Sequence, residues 1–148
     1  MKRIAFIAGL ILLSFAAISQ QDKIVGHWLT SEGESQIKIF RATNGKYYGR
    51  IEWLKEEEDQ EKKDTKNPDE KLRDRKILGI QLINSFIYSK SDKRWENGTI
   101  YDPDNGKTYD CYMWFENDPD ILFIKGYVLG MKFLGRQTKW TRELSVRE

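Results

Sequence analysis

Along most of this chain apolar and polar residues alternate with a period of two, the pattern of strands that bury one face. In residues 46–55, Tyr47, Gly49, Ile51 and Trp53 share one side, and Tyr48, Arg50 and Glu52 the other. Residues 107–116 group Tyr109, Cys111, Met113 and Phe115, and residues 121–128 group Leu122, Ile124, Gly126 and Val128. Residues 25–31, 35–41, 77–83, 86–89, 99–102 and 132–142 also have strand composition. Turn chemistry separates these segments at Asn44-Gly45, Asn97-Gly98, Pro103-Asp104-Asn105-Gly106 and Asn117-Asp118-Pro119-Asp120. Many short strands joined by tight turns predict an all-β domain. A sandwich and a barrel both fit that spacing. Consecutive hairpins without a long crossover favour a small antiparallel up-and-down barrel of about eight strands. Such a barrel is filled by its own side chains or holds one small ligand.

Two stretches break the alternation. Met1-Lys2-Arg3 is followed by an apolar run over residues 4–18 and by Ala17-Ile18-Ser19, a small-x-small pattern. This reads as a signal peptide over residues 1–19, cleaved after Ser19. The apolar run falls short of the roughly twenty residues that span a bilayer. No other stretch is apolar enough to do so, so residues 20–148 are expected to form a single exported domain, periplasmic or extracellular. The second break is residues 55–76, where 17 of 22 side chains are charged, eight basic and nine acidic. It is expected to be a solvated loop, with room for a helical turn. Asp64, Asn67, Asp69 and Glu70 within it could suggest calcium, but the glycine and terminal glutamate of an EF-hand loop are missing.

Charge and reactive residues narrow the function. The full chain has 25 Lys and Arg against 23 Asp and Glu. Loss of Lys2 and Arg3 with the signal peptide leaves a neutral domain, with no long-range field to attract nucleic acid. Cys111 is the only cysteine and His27 the only histidine. There is thus no intramolecular disulfide, no His/Cys set for a metal, and no cue pairing a nucleophile with a base. No cofactor is expected, and the chain does not read as an enzyme.

Gly26-His27-Trp28 opens the domain and Trp140-Thr141-Arg142 nearly closes it. A tryptophan at the start of the first strand, with an arginine at the end of the last, resembles the lipocalin arrangement. That resemblance implies that Gly26, Trp28, Trp140 and Arg142 close one barrel end. A wider set of motifs stands in fixed order: Gly26-x-Trp28-Leu29, Tyr48-Gly49-Arg50-Ile51-x-Trp53-Leu54, Asp64-x-x-Asn67-Pro68, Leu78-Gly79, Tyr101-Asp102-Pro103-x-Asn105-Gly106-Lys107-x-Tyr109, Gly126-Tyr127 and Leu134-Gly135-Arg136-x-x-x-Trp140-x-Arg142. These are similar to the exported bacterial family catalogued as domain of unknown function 2147. The resemblance implies a lipocalin-like barrel and no established activity. It covers nearly all of residues 20–148, although Lys76-Ile77 stands where the family usually has a proline.

The aromatic-rich strands point to an apolar interior with a few polar ends, the usual form of a small-molecule site. Trp53, Tyr109, Met113, Trp114 and Arg136 are the candidate ligand-binding residues, with Arg136 available to a ligand carboxylate. The leading expectation is an exported barrel that binds a small apolar or amphipathic molecule. The alternative is a filled barrel, a non-enzymatic envelope protein that meets a partner through residues 55–76 or a strand edge.

Overall fold

The computed structural model describes residues 19–128, 130–131 and 135–148. The expected signal peptide lies, apart from Ser19, outside the described residues, as do Leu134 of the Leu-Gly-Arg motif and the first positions of the expected final strand. Eight antiparallel strands close into a barrel in which each pairs with its neighbours in sequence and β8 returns to β1. They are β1 (Gly26–Leu29), β2 (Ser35–Arg41), β3 (Tyr47–Leu54), β4 (Gln81–Ser89), β5 (Arg94–Asp102), β6 (Lys107–Phe115), β7 (Ile121–Tyr127) and β8 (Arg136–Glu143). Closure leaves no sheet edge in the barrel wall, so every strand contributes one inner face.

At one end of this barrel the interior is filled by side chains, and a hollow of about 510 Å³ lies beside residues 19–21, lined also by Tyr88, Lys90 and Lys93. There the first described residues fold across the opening as a short 3₁₀ turn, Gln20–Asp22. Trp95 donates its indole N–H to the Gln21 carbonyl at 3.0 Å, and Tyr47 donates its hydroxyl to Asp22 at 2.9 Å. Trp28 donates to the Ile24 carbonyl at 2.9 Å. Phe115 lies against both Trp28 and Trp95, with ring centroids 5.8 and 5.4 Å apart. Each buried aromatic thus contributes apolar area while its polar handle is satisfied.

The sequence pattern misplaces three features. Asn97-Gly98 is no turn. It is a bulge inside β5, where the register to β6 shifts between Trp95 and Gly98. The absent side chain of Gly98 makes room for the Phe86 ring, which would lie 2.3 Å from a Cβ there. The reversal between β4 and β5 comes earlier, after Ser89. Residues 77–80 are apolar without being a strand: Ile77 and Ile80 are buried, and the Leu78-Gly79 turn hydrogen-bonds along β3 through Gly79 N–H to the Ile51 carbonyl.

The third feature is the charged stretch 55–76, which is ordered and not merely solvated. It carries two 3₁₀ turns, Glu57–Glu61 and Glu70–Leu72, around a fully buried carboxylate. Asp64 accepts from Arg75 Nε and Nη2 at 3.0 and 2.9 Å, from Asn67 Nδ2 at 2.8 Å, and from the Tyr101 hydroxyl at 2.5 Å. Paired and hydrogen-bonded in this way, a carboxylate can be buried inside a loop of exposed charges.

Candidate functional site

The opposite barrel end gathers the β1–β2, β5–β6 and β7–β8 connections and the long β3–β4 connection. It contains a cup of about 530 Å³. The cup exists because the inward positions here are small or short. Gly126 of β7 and Thr138 of β8 line it, and a Cβ on Gly126 would meet its nearest neighbour, the Tyr109 Cβ, at an ordinary 3.6 Å. The same strands carry Leu122 and Trp140 further in, and β6 carries Met113 and Phe115. Leu82, Ile100, Ile124 and Trp140 give the cup an apolar wall. Polar groups stand toward its mouth: Thr30, Glu32, Asp102, Asn105, Tyr109 and Arg136.

The loop 55–80 fixes one side of that mouth. Tyr101 borders the cup beside Ile100, and its side chain, on the opposite face of β5, is held through its hydroxyl by Asp64. Burial and that contact push the Tyr101 hydroxyl up to about 12. The Lys66 carbonyl lies over the β5–β6 turn so closely that a Cβ on Gly106 would sit 1.9 Å from it. Gly106 also has φ +72, so both space and backbone conformation require glycine there. Lys66 Nζ donates to the Asp104 carbonyl at 2.5 Å, and Lys62 approaches the Asp104 carboxylate at 3.5 Å. The charged loop therefore buttresses the cup.

Of the residues singled out for ligand contact, Tyr109 and Arg136 line this cup. Met113 does not. It is fully buried, in register with Trp95 and Ile124, and helps fill the barrel interior. Trp114 is on the outer face, as its parity relative to Met113 requires, and stacks on Phe123 at 5.4 Å. Trp53 is also outside. A register shift between Gln36 and Ile37 breaks the alternation of β3 after Ile51, so Leu54 takes the next buried position. Trp53 instead lies 5.2 Å beneath the Arg147 guanidinium and donates to the Glu148 carbonyl at 3.3 Å.

The residues assigned to barrel closure divide between the two regions. Arg142 sits 4.3 Å over the Trp28 ring at the packed end, a cation–π contact worth roughly 0.5–2 kcal/mol. Its guanidinium donates to the carbonyls of Val25, Lys23 and Pro119 at 3.2, 2.5 and 3.1 Å. A Cβ on Gly26 would fall 2.9 Å from Arg142 Nη1, so the missing side chain admits the arginine. Trp140 is elsewhere, in the wall of the cup.

The polar groups around the cup are only partly paired. Asp102 accepts from Asp104 N–H at 2.9 Å and Asn105 Nδ2 at 2.8 Å. Glu32 accepts from the Ser31 hydroxyl at 2.7 Å, and that contact draws its carboxyl below the ordinary range against the effect of burial. Tyr109 accepts from Asn105 Nδ2 at 2.9 Å, and its own proton has no acceptor among the described residues. The Trp140 indole N–H also has none. Among the described residues no fully buried polar side-chain atom is left unpaired, so that N–H opens on the cup. Arg136 is 89 % exposed, and its nearest carboxylate oxygen, on Glu32, is 3.9 Å away.

Neither of the two residues most often recruited for catalysis borders the cup. His27 faces outward and contacts Glu52 and Lys38 on neighbouring strands. Cys111 is buried, which pushes its thiol up to about 12. Among the described residues no group of three or more His, Cys, Asp or Glu side chains is placed to hold a metal ion. No helix among them is long and apolar enough to cross a membrane.

A search of the solved structures finds the barrel of HP1028 from the human pathogen Helicobacter pylori, described as a member of the lipocalin family. The TM-score is 0.69 at 22 % identity, over 86 % of this chain and 84 % of that one, a likeness of fold. No curated protein matches the sequence. The model of a family described as uncharacterized proteins conserved in bacteria, DUF2147, matches residues 26–142. Spanning the barrel from β1 to the Arg142 of β8, that match makes the chain a member of the DUF2147 family.

Proposed function

We propose that the protein is an exported, non-enzymatic barrel that holds one small apolar or amphipathic molecule in its cup. The observation that carries this reading is the unequal filling of the barrel. One end is closed by its own aromatic side chains, and the other keeps about 530 Å³ behind a mostly apolar wall. That volume is in the range of small-molecule sites, roughly 300–1,000 Å³, and polar groups confined to one end suit an amphipathic guest. Export is supported by the basic start and short apolar run of residues 1–19.

Native mass spectrometry of the processed protein, purified from its own host, tests the reading. The expected result is a mass above that of residues 20–148, with the excess lost on denaturation. A Gly126→Leu variant should fill the cup and lose the guest, because the first added carbon has room. A bare mass in native spectra, or a guest retained by a folded Gly126→Leu protein, would refute it.

A further inference from the structure

We infer that the guest carries an uncharged hydrogen-bond acceptor, such as the carbonyl of a ketone or ester, at the end that enters the cup first, where it meets the indole N–H of Trp140. This inference rests on the binding reading above and goes on to name the group that the cup floor recognises. Trp140 is only 4 % exposed, yet its N–H has no acceptor among the described residues. It shares the inward-facing row of β8 with Arg136 and Thr138 and lines the cup. It is also the deepest cup residue of that strand, because the next position in the row, Arg142, belongs to the packed end. The other buried tryptophans, Trp28 and Trp95, each donate to a backbone carbonyl of this chain. At Trp140 the barrel supplies no such oxygen, and the guest is left to supply it.

Depth decides the chemistry. At the mouth, water serves the polar groups of the protein and any polar group that the guest leaves there. At Trp140 a guest that fills the cup expels water, and a hydrocarbon end would leave the N–H unpaired. A charged end fits no better. Among the described residues Arg136 is the only cation that lines the cup. It stands four residues from Trp140 on β8, about 13 Å along the strand. A carboxylate beside Trp140 would thus be buried against Leu82, Ile100 and Ile124 without a partner charge. An ammonium has donors and no acceptor to offer the N–H. A neutral oxygen satisfies the N–H and carries no charge into the apolar wall.

Calorimetric titration of the processed protein with methyl heptyl ketone, and with the alkene that has a methylene in place of its carbonyl oxygen, tests the assignment. The two guests share a shape and differ in the acceptor. The readout is how far each affinity falls in Trp140→Phe, which keeps an aromatic ring but no donor. Comparing each guest with itself cancels the different hydration of the two compounds. The ketone should weaken about three- to tenfold more than the alkene, the scale of one neutral hydrogen bond. A second measurement needs no variant. Of the indole N–H resonances of the nitrogen-labelled wild-type protein, one should move downfield with the ketone and not with the alkene. Equal weakening of both guests in a folded Trp140→Phe protein would overturn the acceptor assignment and leave the cup reading standing. So would indole resonances that respond alike to both guests. If neither guest bound the wild-type protein, both readings would fall.

Discussion

Replacing Asp64 with alanine should remove a large part of the stability of this barrel, although Asp64 lies in the most charged and least strand-like stretch of the chain. Its carboxylate is fully buried and holds three partners. Arg75 is 38 % exposed and can turn to water, so its loss adds least. Tyr101 and Asn67 are buried, and each donor left without its acceptor costs about 1–3 kcal/mol. Together these give about 3–5 kcal/mol, the scale for breaking a buried ion pair by removing one partner. Against a typical domain stability of about 5–15 kcal/mol this is a fifth or more. In urea, with a slope near 2 kcal/mol per molar, the midpoint should fall by about 2 M. Asp64→Asn keeps an acceptor for Tyr101 and should lose about half as much. A midpoint shift in Asp64→Ala below about 0.5 M would refute the view that this carboxylate joins the loop to the barrel.

Two further outcomes follow from packing and protonation. Gly98→Ala would push a methyl into the Phe86 ring, at 2.3–2.5 Å, and should cost about 1–3 kcal/mol by overpacking; thermal melts should show Phe86→Leu recovering part of that loss, and additive effects of the two changes would refute the contact. Burial, together with a hydrogen bond to Asp22 or Asp64, pushes Tyr47 and Tyr101 up to about 12 in the folded state, against about 10 in an unfolded chain. The folded state therefore binds the proton more tightly, so stability should hold below about pH 10 and fall as the pH rises from there toward about 12. Urea midpoints across that range should show a shallower fall in Tyr47→Phe and Tyr101→Phe, and an equal fall in wild type and both variants would count against the buried hydroxyls as its cause.

The alternation of side chains made the barrel legible because one-faced burial forces a period of two on every strand. It succeeded for Ile37 and Ile39 of β2 and for β6 and β7, which do not themselves hold the extra residue of a bulge. It failed where a bulge spends an extra residue: Trp53 changed sides after Ile51, and Asn97-Gly98 imitated a hairpin turn inside β5. Residues 77–80 misled in another way, since apolar composition reports burial and not hydrogen-bonding geometry. Arg136 and Tyr109 could be named as site residues from the chain, but Trp140 and Gly126 could not. Whether an inward position borders a cup or a filled interior depends on its height along the barrel axis, which the stagger between strands sets. Asp64 was hardest to read. It is one of nine acids in its stretch, and only the rejected calcium grouping and the Asp64-x-x-Asn67-Pro68 motif marked it out.

The two barrel ends divide the work of the fold. At the packed end nearly every polar group is consumed by closure: Arg142 by three carbonyls and the Trp28 face, Trp95 by Gln21, and Tyr47 by Asp22. At the cup end the supporting contacts lie behind the wall, in the Asp64 cluster and the Lys66–Gly106 approach, while the donors facing inward stay uncommitted. Cup-facing residues such as Arg136 and Gly126 add little to closure, so their identity can follow the guest without weakening the barrel. Tyr101 joins the two: its neighbour Ile100 faces the cup, while its own side chain, on the opposite face of β5, reaches Asp64 and ties the charged loop to the strand.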